Sequence, residues 1–466
     1  MVSYIIELIM MGEIMKLYQT VKDSDLLLSH TDLVDLRKGY EREDTTTYTD
    51  AGELHRIYLD ESKTFQEWEG FGGAFTESAA DVLNRMSPEK QKIMMEAYFH
   101  PDKGIGYNFC RTHINSCDFS LENWACCETE DPQLKDFNLN RDKQQIIPMI
   151  EWAKELTEED ITLFASPWSP PAWMKTNGEM NNGGKLKEQY CQAWALYYCK
   201  YIKAMQDEGI TISALTIQNE PAATQVWDSC VYTAEEERDF VRDFLGPTIE
   251  KEGLGHIKLV CWDHNRAEAY DRAQKMFDDP VACKYVYGIG IHWYMGDNYQ
   301  NLKLINDVYP DKKIWFTEGC QESGPHLGDW NVAERYAHSM INDINHNTSA
   351  WCDWNLFLDE TGGPNHVNNL CSALVIADTV NDQVIINPSY YYFAHFSKFI
   401  KKGAKRIAVC TTTDVLEATG FINPNGEKVL VVCNSSEKSL SYALHNIDKG
   451  GYISMPPRSI QTVIVN

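Results

Sequence analysis

The chain has 466 residues and a formal net charge of −26, with 43% hydrophobic and 24% charged residues. This length suffices for one large domain and a smaller one, and the composition is that of an ordinary globular protein. The strong negative charge excludes a general binder of nucleic acids or anionic membranes, because phosphate groups would be repelled.

The 14 cysteines and 13 histidines show none of the common metal or redox spacings. No CxxC, HExxH or HxH pattern occurs, so we predict neither a metal site nor another cofactor. Many cysteines lie in apolar stretches such as 260–262 and 432–434. This pattern indicates buried free thiols and a reducing compartment, so we expect a cytoplasmic protein.

The first fifteen residues form an apolar patch that Glu7 and Glu13 interrupt. The patch lacks a basic start and a small-residue cleavage site, and it is too short to span a membrane. It is therefore a poor signal peptide, and we expect translation to begin at Met15.

Short strands and turns are predicted from Leu26 to Glu67, and a regular alternation of strands and helices follows. The eight predicted strands are Glu69–Thr76, Gly106–Ile114, Ile161–Trp168, Ile212–Glu220, His256–His264, Gly288–Tyr294, Lys313–Gly319 and Ala350–Phe357. The helical patterns between them are Ser78–Phe99, Asp142–Leu156, Lys187–Glu208, Ala234–Glu252, Ala267–Phe277, Asn301–Val308 and Trp330–His346. Eight such strands predict an α/β fold, a (β/α)8 TIM barrel over residues 68–389.

After about residue 390 the pattern changes to strands joined by tight turns, including a hairpin turn at 423–426. The two chain ends, 15–67 and 390–466, are therefore predicted to form one discontinuous β-sandwich domain beside the barrel.

Two of the predicted barrel strands end in a glutamate, Glu220 and Glu318. Chemistry in such barrels lies at the carboxyl ends of the strands, so we expect both side chains at one mouth. A pair of carboxylates there is typical of a retaining glycosidase, whose acid/base and nucleophile lie roughly 5–5.5 Å apart. We assign Glu220 as acid/base and Glu318 as nucleophile. Either glutamate alone would be read as an ordinary surface carboxylate.

Other residues at predicted strand ends fit the same chemistry. Arg111 and Tyr294 are expected to donate hydrogen bonds to Glu318, and its charge to raise the pKa of Glu220. Asn219 is expected to reach the sugar 2-hydroxyl. Some of these residues also fit purely structural roles: an ion pair, packing or a structural hydrogen bond for Arg111, Trp168, Trp354 and His292.

A series of motifs from about residue 69 to 400 resembles glycoside hydrolase family 30, above all its glucosylceramidase (acid β-glucosidase) branch. The motifs are GFGGAFT at 70–76, GIGYN at 104–108, SCDF at 116–119, ASPWSPPAWMKTNG at 165–178, NEP at 219–221, HWY at 292–294, Glu318 with Cys320, DWNL at 353–356, GGPN at 362–365 and HFSKFI at 395–400. The resemblance implies a barrel with a side β-sandwich and retaining hydrolysis of β-glycosides.

By the same resemblance, Glu220 matches the acid/base and Glu318 the nucleophile. The matches to residues that hold the sugar are Asp118, Trp168, Asn219, Trp354 and Asn369. Asp118 would grip the outer 4- and 6-hydroxyls of a hexose, which favours removal of terminal β-glucosyl residues.

Residues 224–230 depart from the pattern of the lysosomal enzymes of the branch, and Trp227 is expected to stack a second sugar there. The natural aglycone therefore stays open, as does the oligomeric state. A small-molecule or oligosaccharide β-glycoside is the expected partner. The alternatives are a β-xylosidase or mixed glucosidase/xylosidase, an endo-β-1,6-glucanase and, in another class, a non-catalytic carbohydrate-binding protein.

Overall fold

The computed structural model describes residues 15–33, 54–157, 160–445 and 452–465. The apolar segment before Met15 lies outside the described residues, and the translation start at Met15 stays a prediction. The described residues form two compact units: one comprises Gly70–Gly328 and His346–Asn387, and the other comprises the described residues up to Glu69, Asp329–Asn345 and the described residues from Pro388 onward. Residues 329–345, which the sequence assigned to the barrel, thus group with the second unit.

The larger unit is built on a closed barrel of eight parallel strands, β4 to β11, which confirms the predicted (β/α)8 fold. The strands are β4 (Gly70–Phe75), β5 (Phe109–Ile114), β6 (Thr162–Pro167), β7 (Ala214–Thr216), β8 (Lys258–Asn265), β9 (Val286–His292), β10 (Lys313–Glu318) and β11 (Thr348–Asn355). Each is almost wholly buried, as expected where helices cover a parallel sheet. Phe109, Phe164 and Trp315 pack together inside the barrel and fill its interior.

Strand β7 is shorter than the predicted run Ile212–Glu220, because it ends at Thr216. Beyond it, the chain stays bonded to both neighbouring strands: the backbone N–H of Asn219 donates to Pro167 O of β6 at 2.9 Å, and that of Glu220 donates to Asp263 O of β8 at 3.0 Å. Glu220 then adopts a left-handed backbone with φ of 47°, and Pro221 follows. The chain thus turns sharply at the residue that the sequence singled out.

The α-helices are α1 (Glu77–Arg85), α2 (Pro88–Phe99), α3 (Asn140–Gln144), α4 (Ile146–Leu156), α5 (Cys191–Asp207), α6 (Ala234–Phe240), α7 (Gly246–Lys251), α8 (Ala269–Phe277), α9 (Ala282–Tyr285), α10 (Tyr299–Val308), α11 (Trp330–Asn345) and α12 (Pro388–Ser397). The predicted helix 78–99 is divided before Pro88, which favours a first-turn position and begins α2. A π-helical turn, Val241–Leu245, separates α6 from α7. Helix α6 begins with a capping box formed by Thr233 and Glu236.

The second unit contains a nine-stranded sheet to which both chain ends contribute, in the order β19-β18-β3-β15-β16-β17-β20-β1-β2. Its strands are β1 (Met15–Val21), β2 (Ser29–Leu33), β3 (Leu54–Glu67), β15 (Lys405–Thr411), β16 (Leu416–Ile422), β17 (Lys428–Asn434), β18 (Leu440–His445), β19 (Tyr452–Met455) and β20 (Ser459–Val465). Apolar side chains from both ends, among them Leu17, Ile57 and Leu430, share one buried core. The two chain ends therefore form one β domain together, as the sequence predicted.

A small sheet of β12 (Phe357–Asp359), β13 (Val375–Asp378) and β14 (Gln383–Ile386) completes the larger unit. All 14 cysteines are free thiols, and Cys410 alone is exposed. Within the described residues, every helix is too short or too polar to cross a membrane.

Candidate active site

The barrel brings the two predicted glutamates together at the carboxyl ends of its strands. Glu318 is the last residue of β10, and Glu220 lies four residues beyond β7. One carboxylate oxygen of each and one ring nitrogen of His292, the last residue of β9, lie within 4.8 Å of one another. This spacing suits a direct attack on the sugar, whereas an inverting enzyme holds its carboxyl groups roughly 6.5–9.5 Å apart to admit a water.

Arg111, on β5, is the centre of the hydrogen-bond network and is wholly buried. Its Nη1 donates to Glu318 Oε2 at 2.5 Å, and its Nη2 donates to Asp263 Oδ2 at 2.7 Å and to Asn219 Oδ1 at 2.9 Å. The Nε donates to Ser166 Oγ at 2.9 Å. A guanidinium offers this fixed fork of donors, so Arg111 orients the carboxylates of Glu318 and Asp263 together with the side-chain amide of Asn219.

Glu318 accepts a hydrogen bond on each carboxylate oxygen, as the sequence predicted. Arg111 binds Oε2, and the Tyr294 hydroxyl donates to Oε1 at 3.0 Å. Burial raises the pKa of Glu318, and the positive charges of His292 and Arg111 oppose that rise. Because both oxygens face donors, the site favours the ionised carboxylate that a nucleophile requires.

His292 is buried between two carboxylates. Its Nε2 lies 3.0 Å from Asp263 Oδ1, and its Nδ1 lies 3.2 Å from Glu220 Oε1. Burial works against a charged imidazole, but Glu318, Asp263 and Glu220 outweigh it and raise the pKa of His292 to about 9. The ring is therefore an imidazolium at neutral pH and donates from both nitrogens.

The protonation state of Glu220 differs from the sequence expectation that Glu318 would raise its pKa. Burial does favour a higher pKa for Glu220, but the hydrogen bond from His292 and the nearby imidazoles lower it below its ordinary value. The proton needed for acid catalysis thus rests on His292, 3.2 Å from the carboxylate that must deliver it. The expectation failed because it considered the two glutamates without the cation between them.

The residues predicted to hold the sugar lie around this centre. Trp168 and Trp354 stack with ring centroids 5.1 Å apart, and the guanidinium carbon of Arg111 lies 4.5 Å from the Trp168 ring centroid. Asn369 Nδ2 donates to Asp118 Oδ2 at 2.9 Å. The other oxygen of Asp118 is buried and accepts no hydrogen bond from the described residues, as suits a carboxyl that receives a ligand hydroxyl. Burial raises the pKa of Asp118 well above its ordinary range.

Trp227 is partly buried and packs on the cluster that contains Trp168 and Trp354. This places it beside the predicted sugar site, on the segment after Glu220. Its predicted role in stacking a second sugar stays a prediction.

Sequence reasoning missed three residues around the carboxylates. Asp263 bonds Arg111 and His292, yet no site residue was taken from its strand β8, although the predicted run ended in Asp-His. His264 Nε2 lies 3.6 Å from Glu220 Oε1, and burial lowers the pKa of His264 to about 4. Gln225 Nε2 donates to Glu220 Oε2 at 3.3 Å, a loop contact for which the sequence carries no pattern.

Glu220, His292 and Glu318 are also the group of metal-ligating side chains that the described residues bring close together. The donor set does not suit a cation. Arg111 already bonds Glu318, and His292 is protonated at neutral pH, whereas a ligating imidazole must be neutral.

Comparisons with known proteins agree with this geometry. Residues 68–400 match the glycosyl hydrolase family 30 TIM-barrel domain, and residues 403–463 match the glycosyl hydrolase family 30 beta sandwich domain. The lysosomal acid glucosylceramidase of Mus musculus is 35% identical over 86% of this chain and 81% of its own length.

Two solved structures are similar over nearly the whole chain. The crystal structure of SrfJ from Salmonella typhimurium has a TM-score of 0.90 and 34% identity, and covers 97% of this chain and 99% of its own. The endo-beta1,6-glucanase BT3312 has a TM-score of 0.84 and 28% identity, with the same coverage of 97% and 99%.

Proposed function

The chain belongs to glycosyl hydrolase family 30 and is a retaining β-glycosidase, and we propose that it releases terminal β-D-glucosyl residues from β-glucosides. The observation that carries the proposal is the convergence of Glu220, His292 and Glu318 within 4.8 Å beside a buried oxygen of Asp118 that no described residue binds. The carboxylate pair supplies the chemistry, and Asp118 supplies a partner for the outer hydroxyls of a hexose.

In the first step, a Glu318 oxygen attacks the anomeric carbon while the bond to the leaving oxygen breaks. Glu220 protonates that oxygen and draws its proton from His292, whose Nδ1 lies 3.2 Å away. In the second step, Glu220 takes a proton from water, the water oxygen attacks the anomeric carbon, and Glu318 is released as a carboxylate. Glu220 then returns the proton to His292, which restores the starting state. The stereochemistry at the anomeric carbon is retained because it inverts twice.

Asn219 is proposed to bind the sugar 2-hydroxyl. Arg111 donates to Asn219 Oδ1 at 2.9 Å and so fixes the orientation of the amide. The Nδ2 group is then left to donate toward the ligand, in a contact that strengthens as the oxocarbenium-like charge develops.

The direct test is trapping of the covalent intermediate. A 2-deoxy-2-fluoro-β-glucoside with an activated leaving group should label one peptide, and mass spectrometry should place the label on Glu318. A label on another residue contradicts the assignment of Glu318 as the nucleophile. Binding of the reagent without release of the leaving group would instead favour a non-catalytic sugar-binding protein.

Glucose and xylose are separated by kcat/KM on nitrophenyl β-glucoside and β-xyloside. A xyloside has no 6-hydroxyl, so the glucosidase proposal expects the glucoside to be preferred and Asp118→Ala to shrink that preference. A preference for the xyloside that survives Asp118→Ala assigns the protein as a xylosidase instead.

An endo-β-1,6-glucanase is the second candidate, favoured by the similar structure of that activity and by the place of Trp227. Products distinguish the two. Glucose as the first product from a β-1,6-linked oligosaccharide supports terminal action, whereas oligosaccharides as first products support the glucanase. Release of ceramide from glucosylceramide tests the lipid aglycone that the name of the mouse relative specifies.

We further propose a cytoplasmic location, which the free thiols support. Alkylation of the native protein after denaturation without reductant should modify all 14 cysteines. Cysteines that resist alkylation until reductant is added would place the protein in an oxidising compartment instead.

A further inference from the structure

The acid/base loop, residues 221–232, follows Glu220 directly in the chain. Its first turn is closed by a hydrogen bond from Ala223 N to Glu220 O at 2.9 Å, and its end is tied back by Tyr232 N to Pro221 O at 2.8 Å. The left-handed backbone of Glu220, with φ of 47°, is unusual for a residue with a side chain and needs support from its surroundings. Any shift of this loop therefore moves the catalytic carboxyl.

A buried lysine ties the acid/base loop to the loop that follows β6. Lys175 is 0% exposed, and its Nζ donates to Ser229 O at 2.5 Å and to Ser169 Oγ at 3.0 Å. It also lies within 3.2 Å of Glu179 O and 3.3 Å of Met180 O. Among the ion pairs of the described chain Lys175 has none, so carbonyl and hydroxyl oxygens stabilise its charge, and burial lowers the pKa of Lys175.

Ser229 connects the Lys175 contact to the main chain of Gln225. The Ser229 hydroxyl accepts from Gly183 N at 2.9 Å and from Gln225 N at 3.2 Å. The Gln225 carbonyl accepts from Asn182 N at 2.8 Å. The main chain of Gln225 is thus held on both sides by fixed neighbours.

From this fixed main chain, Gln225 Nε2 reaches Glu220 Oε2 at 3.3 Å, while His292 binds Oε1 at 3.2 Å. A carboxyl held at one oxygen rotates freely about its terminal bond. A second donor on the other oxygen removes that freedom and fixes the direction in which the carboxyl delivers its proton to the leaving oxygen.

We infer that Gln225 is a positioning residue for the acid/base, and that Lys175 and Ser229 hold it in place by clamping the two loops together. This inference rests on the proposed function, because it gives Gln225 a task only if Glu220 protonates a leaving group. It concerns the first chemical step alone, since that step needs the proton delivered along one direction.

The test compares two leaving groups in Gln225→Ala. Phenyl β-glucoside needs protonation to depart, whereas 2,4-dinitrophenyl β-glucoside departs without it, so kcat/KM separates acid assistance from general damage. The expected result is a loss of about tenfold on the phenyl substrate, the size of one net hydrogen bond, and less than about twofold on the dinitrophenyl substrate. The matched control is Val226→Ala, because Val226 is next along the loop and 64% exposed. Its ratio of kcat/KM on the phenyl substrate to kcat/KM on the dinitrophenyl substrate should equal that of the wild type.

An equal loss on both substrates, or no loss on either, overturns the positioning role. The clamp is tested by Lys175→Met, which should show the same leaving-group pattern. Ser229→Ala is the second variant should Lys175→Met not fold. If the folded Lys175→Met or Ser229→Ala variant keeps the wild-type ratio of kcat/KM on the two substrates, Lys175 and Ser229 do not hold Gln225 in place. Failure of the proposed function is separate from these outcomes, because wild-type protein would then turn over neither glucoside.

Discussion

Two buried histidines show how differently the two units use the same side chain. In the barrel, His292 lies between the carboxylates of Asp263 and Glu220, and its pKa rises to about 9. In the other unit, His395 on α12 contacts the hydroxyls of Thr462 at 2.8 Å and Thr20 at 3.0 Å, and burial lowers its pKa to about 3. Both are wholly buried, yet one is a cation and the other is neutral.

The surroundings of the two histidines differ in charge and in backbone conformation as well. The barrel mouth buries charges and holds Glu220, Trp262 and Asp263 in left-handed backbone, which costs stability. The core of the nine-stranded sheet is apolar, with Leu430 and Ile57 among its buried members. The barrel mouth therefore combines buried charges with left-handed backbone, whereas the shared core of the nine-stranded sheet is built from apolar side chains.

The largest expected effect is the loss of the nucleophile. Glu318→Gln keeps the shape of the side chain but removes the attacking carboxylate, so kcat/KM for nitrophenyl β-glucoside should fall about 10⁴-fold or more. Unfolding by urea should change far less, because the amide of the variant still offers an oxygen to Arg111. A variant that retains more than about a tenth of wild-type activity contradicts the assignment.

The second change removes the cation of the mouth. His292→Gln should lower kcat/KM about 10²-fold at neutral pH, since Glu220 loses its proton donor. The alkaline limb of the wild-type profile, expected near the His292 pKa of about 9, should move toward lower pH in the variant. An unchanged alkaline limb would show that another group supplies the proton.

The same histidine also predicts how stability depends on pH. The pKa of His292 is raised from 6.5 to about 9, so its charge stabilises the folded state fully below pH 6.5. That contribution is lost as the pH rises from 6.5 through 9. Urea midpoints across this range should fall more steeply for wild type than for His292→Gln, and parallel curves contradict the assigned charge.

The third change acts on the sheet unit. Leu430→Ala in β17 leaves a cavity in the apolar core and should lower the free energy of unfolding by about 2–5 kcal/mol. The kcat/KM of the folded protein should match that of the wild type, because no site residue belongs to this core. A selective loss of activity in the fully folded variant breaks the division of roles between the two units.

The fold was largely predictable, because each barrel strand is a buried apolar run with polar residues at its end. Glu220, Glu318 and Arg111 stand out for that reason. The links between them were not predictable. Asp263 acquires its role from two partners on other strands, and Gln225 from a loop conformation that no local pattern encodes. Because the sequence did not show His292 between carboxylates, the pKa direction of Glu220 was predicted wrongly.

The smallest expected effect concerns His395 and runs in the opposite direction to that of His292. Its folded-state pKa is lowered from 6.5 to about 3, so the unfolded chain takes up the proton first as the pH falls. Stability should therefore decline below pH 6.5, by up to about 1.4 kcal/mol for each pH unit. His395→Gln keeps a polar group for the Thr20 and Thr462 hydroxyls but does not titrate. Its urea midpoint should fall less than that of the wild type between pH 6 and about 4.5, while its kcat/KM is unchanged. Identical acid-side slopes would mean that carboxyl groups alone govern the decline, and the contrast between the two histidines would then hold only for the barrel.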